Sequence, residues 1–512
     1  MNLIKAFVTV SGFTLISRIL GLIRDIVTAT IFGAGPIMDA FFAAFRLPNT
    51  LRRFTAEGAL TQAAIPVYKE AQNENPRAAA LFAGELIWAL IIFLAALTLL
   101  VVITAPQVIT TLAPGLEDPE LAAVLLKIAF PYIVFISTVA MLAVMLNANG
   151  YFAAPAAAPI LLNTSLIAAA LWGAPLFPEP VIALAWGVFA GGLLQLLLVA
   201  FAVRRTGLRL AGRPHFPPTT RVRRALKLML QGALGAGATQ INLLINLLIA
   251  SLLPAGSISW LYYADRLMEL PAGLLGAALA TVILPALSSY AADEKKSCAI
   301  IDGTLRLTLA LAAPAAVGMA LLAVPVVNVL FLHGAFSTTD AAMTAQAVVA
   351  YSIGVVGLVA IRPLAAAFFS RQDAATPAKT ALLMLVLTQG MNAVLIFGLN
   401  WNHSGLALSI SLGACLNATA LWYLLKRRKW HVPLPGWRRF FVVLAVSLSA
   451  MAALLWLLLP TEDFWRNAAL PVRLSTLAGM VISAAGIYLV SLHLGGVRLI
   501  NVYRALHVNG NS

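Results

Sequence analysis

The sequence predicts an all-α polytopic membrane protein of about 14 transmembrane helices, built as two parallel six-helix lobes plus two extra C-terminal helices. Three observations predict it. Of 512 residues, 61% are hydrophobic and 10% charged, with mean hydropathy +0.93, which leaves too little polar surface for a water-soluble globule. Apolar runs of about 20 residues, enough to cross a bilayer, recur along the whole chain. The chain also resembles itself when slid by 222 residues.

The spans fall at about 5–33, 36–68, 78–105, 119–147, 152–176, 180–203, 224–253, 257–290, 304–331, 340–370, 375–400, 404–425, 438–459 and 469–494. They are continuously apolar and do not alternate, which excludes a β-barrel. Alternate loops differ in charge. The stretch after span six, RRTGLRLAGRPHFPPTTRVRR, and the one after span twelve, KRRKWHVPLPGWRR, hold no acid, while the opposite loops GAGP, APGLEDPE, PLFPEP and PAGS hold no Lys or Arg. Positive charge marks the cytoplasmic side, so both termini are expected there. Arg466 and Arg473, near span fourteen, run against that rule. The net charge of +15 then reflects topology, and no nucleic-acid partner is implied. Cys298 and Cys415 suggest no disulfide framework, the six scattered histidines suggest no metal site, and the first apolar segment reads as a retained helix, without a signal-peptidase site.

The 222-residue shift lays LAWGVFAGGLLQ (from Leu184) on LALSISLGACLN (from Leu406), matching Gly191 with Gly413 and the basic ends Arg204-Arg205 with Lys426-Arg427. It also lays Pro155 on Pro377. An even number of spans per repeat gives lobes of the same orientation, expected at 1–214 and 215–430, with 431–512 adding two helices and a tail. Parallel repeats flanking a central site are a transporter pattern.

Charges inside the spans concentrate in three places. Span one carries Arg18, Arg24 and Asp25. Span two carries Asp39, Arg46, Arg52, Arg53 and Glu57, and span eight carries Asp265, Arg266 and Glu269. Under the repeat, Arg18 meets Gln240 and Arg24 meets Asn246, so only the first half is cationic there. At 1.5 Å per residue, Arg18 lies roughly 20 Å into its helix, near mid-bilayer. An arginine facing lipid at that depth costs about 2.5–3.5 kcal/mol even on a lenient scale, so these side chains must face water, acids or an anionic ligand. Pairing within the protein would be one outlet: Arg24 with Asp39, Arg266 with Glu269, Arg52 or Arg53 with Glu57. Arginines outnumber the acids, however, and a surplus of guanidinium suits a polyanion, phosphate above all. Asp25, Asp39, Asp265 and Glu269 would then hold arginines when the ligand is absent, with Ser17, Asn49, Arg53 and Ser259 as supporting polar groups.

The motifs SRILGLIRD, GAGPIMDAFFAAFRLPNTLRRFTAEGALTQAAIPV, SISWLYYADRLMELPAGLLGAALATVILP and FFSRQDAATPAK, together with the span pattern, resemble the MurJ (MviN) family of lipid II flippases, within the multidrug/oligosaccharidyl-lipid/polysaccharide flippase superfamily. The resemblance covers nearly the whole chain. It implies translocation of undecaprenyl-diphosphate-linked disaccharide pentapeptide between leaflets of the bacterial cytoplasmic membrane for cell-wall synthesis. It also implies that Arg18, Arg24, Arg52 and Arg266 hold the diphosphate, and that spans thirteen and fourteen form an apolar groove for the polyprenyl tail. Expected partners are lipid II, membrane lipids and other cell-wall synthesis proteins. No cofactor is implied. Some members use a sodium site with an acid in span seven; this span seven has none, leaving Asp373 and Thr388 as possible ion contributors, and membrane potential or a cation gradient as the driver. Exporters of other lipid-linked saccharides or of drugs share the architecture, although a cation exporter should line its cavity with acids and aromatics. A membrane polymerase would need a catalytic outer loop, and the loops here are short.

Overall fold

The computed structural model describes residues 3–55, 59–212, 214–215, 218–289 and 293–497. Among the described residues, every predicted span is largely helical and there is no strand. Among the described residues, ten helices are long and apolar enough to cross a membrane, so that measure does not confirm the predicted count of 14. The predicted spans outside those ten are one, two, seven and eight, the ones rich in charges and amides.

Contacts divide the chain into two compact units, residues 1–259 with 334–336 and residues 260–333 with 337–512. The first holds α1 (Leu3–Phe32), α2 (Pro36–Thr55), α3 (Ala59–Glu74), α4 (Pro76–Ile103), α5 (Ala105–Leu112), α6 (Pro119–Ala129), α7 (Tyr132–Ala148), α8 (Ala153–Ala168), α9 (Ile182–Arg205) and α10 (Thr220–Ser251). Here α8 packs between α1 and α9, α7 packs on α9 and α4, and α10 lies on α3. The division therefore falls beyond α10 and not at the repeat boundary near residue 214. A repeat describes how the sequence is doubled, whereas compactness describes what packs.

Local signals explain the helix ends. Asn75 and Asp118 cap α4 and α6 by accepting from Ala78 N and Leu121 N, each followed by a proline whose missing N–H is harmless in a first turn. The predicted fourth span is two helices, because the chain turns at Phe130 and Pro131 before α7. The predicted second span is α2 and α3, with residues 56–58, and so Glu57, outside the described residues; Arg213 also lies outside them. Residues 334–336 join the first unit through Ala335 N, which donates to Thr30 O at 2.8 Å. Gly334 makes that approach possible: its φ is +57°, and a Cβ would sit 2.2 Å from Thr30 O.

The second unit holds α11 (Ser257–Ser289) from its second turn onward, α12 (Glu294–Leu321), α13 (Ala323–Leu330), α14 (Thr338–Phe369), α15 (Ala375–Asn392), α16 (Asn402–Arg427), α17 (Trp437–Leu458), α18 (Glu462–Asn467) and α19 (Leu470–Leu494). The acidic-basic segment DEKKS, residues 293–297, lies between predicted spans eight and nine, outside both. Most of it is helix, because Asp293 caps α12 by accepting from Lys296 N at 3.0 Å. Ser337 and Asp340 form a reciprocal capping box on α14. Phe440, Leu444, Met451, Met480, Ala484 and Tyr488 form a buried seam where α12, α17 and α19 meet.

The two units share irregularities. α8 and α15 both run into a π-helical turn, Ala169–Gly173 and Ala393–Gly398. The matched glycines Gly191 and Gly413 both mark a close crossing: a Cβ would lie 3.0 Å from Leu162 Cα in one and 2.4 Å from Thr388 Oγ1 in the other.

Candidate functional site

Arg24 is the best-held of the predicted arginines. Its side chain is 14% exposed, and Asp25 beside it is 4% exposed. The guanidinium donates from Nε (3.0 Å) and Nη2 (2.6 Å) to Asp25 Oδ1, and from Nη1 to Asn163 Oδ1 at 3.0 Å. Asn163, on α8, donates in turn from Nδ2 to the carbonyl of Ser17 at 3.0 Å. So Ser17, Arg24 and Asp25 come together around an amide from a different helix. Leaving such a buried pair half-satisfied would cost about 1–3 kcal/mol, which is the reason to expect a partner wherever one polar group enters an apolar span. The predicted pairing of Arg24 with Asp39 does not occur: Asp25, adjacent on the same helix, is within reach without any long-range closure.

Asp39 instead is buried against the turn that opens α11. It accepts from Gly256 N (2.7 Å), Ser259 N (2.8 Å) and Ser259 Oγ (2.6 Å), answering backbone donors that a first helical turn leaves open. Ser259 thus fastens to Asp39 through both its backbone and its hydroxyl. On α2, Asn49 Oδ1 accepts from Arg52 Nε and Nη2, both at 3.1 Å, which orients the fork. Arg53 is half-buried and Arg18 is exposed on α1.

Asp265, Arg266 and Glu269 lie on α11 in the second unit. Arg266 donates to Glu269 Oε2 at 2.8 Å, the expected i,i+3 pair, and its guanidinium lies 4.9 Å over the Tyr262 ring. The possible ion contributors are not brought together. Asp373 lies before α15, bound to the Thr376 hydroxyl and amide and to Arg428, and those hydrogen bonds hold its carboxyl down at about 2. Thr388 is about four turns further along, its Oγ1 donating to Met384 O at 2.7 Å and packed on Gly413. An arginine already occupies the carboxylate that a cation would need. Among the described residues, no group of three or more His, Cys, Asp or Glu is arranged to hold a metal ion.

Several functional or structural groups escape sequence reading. Asn163 stands in PILLNTSLI with nothing nearby in sequence to name its partner. Asp302, His431 and Trp437 form a second cluster: Asp302 Oδ1 accepts from Trp437 Nε1 (2.7 Å) and Leu434 N (3.1 Å), while Arg306 lies 3.0 Å from Oδ2. This cluster pins the basic connection between α16 and α17. Arg473, one of the exceptions to the charge rule, is buried and donates to Trp465 O at 2.9 Å, so it serves backbone carbonyls inside the second unit.

The chain matches known proteins over nearly its whole length. A family model described as "Lipid II flippase MurJ" matches residues 28–473. A relative from Burkholderia cenocepacia, described as "Lipid II flippase MurJ", is 40% identical over 506 residues, covering 95% of this chain and 96% of that protein. One from Haemophilus influenzae, described as "Probable lipid II flippase MurJ", is 36% identical over 508 residues, covering 95% and 98%. Among solved structures, "Lipid II flippase MurJ, inward closed conformation" shares the fold at TM-score 0.74 with 24% identity, covering 94% of this chain and 99% of that one. An inward-facing multidrug transporter of the MOP superfamily follows at TM-score 0.64 and 12% identity, covering 82% and 98%. A multi-pass helical membrane protein matched over nearly its full length, with oriented arginines on α1 and α2, belongs to the MurJ lipid II flippase family.

Proposed function

We propose that the chain translocates lipid II from the inner to the outer leaflet of the bacterial cytoplasmic membrane by alternating access, supplying cell-wall synthesis. The observation that carries this reading is Arg24, desolvated in an apolar helix yet held by Asp25 and Asn163 in one orientation. A planar fork of fixed direction suits a diphosphate, which offers several charged oxygens. The family and its 40% identical relative supply the identity of the lipid. Arg18, Arg52 and Arg266 complete the diphosphate-binding set, and the apolar surface of α17 and α19 receives the tail. The protein acts as a transporter and not a catalyst. Both termini lie in the cytoplasm. Membrane potential drives the cycle: each charge carried across the field is worth about 2.3 kcal/mol per 100 mV, and the arginines supply the charge without a cation site at Asp373.

The test is leaflet-resolved lipid II in cells depleted of the protein, probed with an externally added, membrane-impermeant agent that cleaves it. Depletion should abolish cleavage while total lipid II accumulates. Undiminished cleavage in a strain with no second flippase would overturn the reading.

A further inference from the structure

The amide of Asn163 is placed where α1 has no side chain to obstruct it. Gly21 faces it: a Cβ there would lie 3.8 Å from Asn163 Nδ2. Ser17, Gly21 and Arg24 stand at i, i+4 and i+7, on one face of α1. Helical side chains lean toward the N-terminus, so the Arg24 guanidinium reaches back along α1 to the level where Asn163 enters. One amide therefore meets both the carbonyl of Ser17 and the guanidinium of Arg24. The chemistry allows a single orientation of that amide, because Arg24 can only donate and the Ser17 carbonyl can only accept. Asn163 is 7% exposed, and both ends of its amide are used in these bonds.

The sequence repeat does not carry this pair of residues into the other half of the chain. Residue 222 positions beyond Asn163 is Leu385, and the one 222 beyond Arg24 is Asn246. Amide and guanidinium occur together in the first half and are absent together from the second.

We infer that Asn163 is a positioning residue for lipid-diphosphate binding: it fixes the direction of the Arg24 fork, with Asp25 holding the other side. The inference rests on the proposed flippase reading and adds to it a residue on α8. Asn163 does not touch the ligand; it acts through Arg24.

The test is equilibrium binding of lipid II to the purified full-length chain in nanodiscs, for wild type, Asn163→Leu, Arg24→Lys and the double variant, with thermal stability recorded for each. Arg24→Lys keeps the charge and removes the fork that Asn163 grips. Asn163→Leu is expected to weaken binding about tenfold beside Arg24, roughly 1.4 kcal/mol, and less than about twofold in the Arg24→Lys background. Equal losses in both backgrounds, or no loss in either, overturn the positioning role. Asn163→Ser, smaller and polar, provides the same cycle should Asn163→Leu fail to fold. If wild type itself does not bind lipid II, the flippase reading falls, which is a distinguishable result.

Discussion

The crossing of α7 with α9 and the crossing of α14 with α16 are counterparts at an offset of 222 residues, and they solve one packing problem with opposite sizes. In the first, Tyr132, Phe135 and Phe189 are large and Gly192 is the gap: a Cβ at Gly192 would meet Tyr132 Cδ2 at 2.5 Å, and Phe135 lies edge-on to Phe189 with centroids 5.2 Å apart. In the second, the matching positions are Gly354, Gly357, Ser411 and Ala414, all small, and backbone meets backbone, with a Gly357 Cβ 2.6 Å from Ala414 C and Cys415 N. A duplicated scaffold thus keeps its crossing points while the residues filling them change. The polar groups diverge further: Arg18, Arg24 and Asn163 of the first half correspond in sequence to Gln240, Asn246 and Leu385 in the second. Shared architecture carries the fold; the difference between halves carries the chemistry.

The largest expected effect tests that division. Arg24→Ala should abolish complementation in a strain depending on this gene while folded protein persists in the membrane; Asn246→Ala, at the matching position, should leave growth near normal. Normal growth with Arg24→Ala would end the assignment of chemistry to the first half. Next come the crossings. Gly357→Ala presses a methyl group into backbone that cannot yield, and should destabilise by about 1–3 kcal/mol. Gly192→Ala presses on a ring edge that can tilt, so its loss of thermal stability should be the smaller of the two. The reverse order would refute the reading of one crossing as backbone-tight and the other as ring-filled.

Smaller effects belong to the two basic connections. The one before α10 leads into helix residues Arg224 and Arg221, which pair with Glu70 at 2.7 Å and with Glu74, both pairs well exposed. Replacing both glutamates with Gln should cost less than about 1 kcal/mol each, and the difference should vanish at high salt. The one before α17 is tied by buried Asp302, so Asp302→Asn should cost more and stay insensitive to salt. Equal salt dependence would show the two connections to be held alike. An effect confined to acid is at Asp373. Its carboxyl titrates near 2 against an ordinary 3.8, so its contribution is complete above about pH 4 and lost as pH falls through 2. Arg428→Ala should abolish part of that acid-range slope in stability.

Much of the fold was legible from hydropathy, because a bilayer forces every span to be helical and apolar whatever its neighbours. Ends were legible where caps stand beside prolines, as at Asn75-Pro76 and Asp118-Pro119, because capping is local. DEKKS, between two predicted spans, is mostly helix for the same reason: Asp293 at its head caps a helix that begins there. Within the site, Arg24, Arg52 and Arg266 could be picked out as costly charges, and Glu269 as a partner one turn away. Asn163 could not be assigned to Arg24, since 139 residues separate them.

The sequence by itself determined a polytopic helical protein with a doubled plan, its family, and the helices that carry charge. Those follow from composition, periodicity and motif, each summed over many residues. Tertiary structure alone decided which acid each arginine meets, that Asp39 fastens the opening turn of α11 and not a guanidinium, that Arg428 occupies Asp373, and that Arg473 is spent on buried carbonyls. A hydrogen bond is made over about 3 Å, so its partner depends on how distant helices pack, and no count along the chain contains that distance.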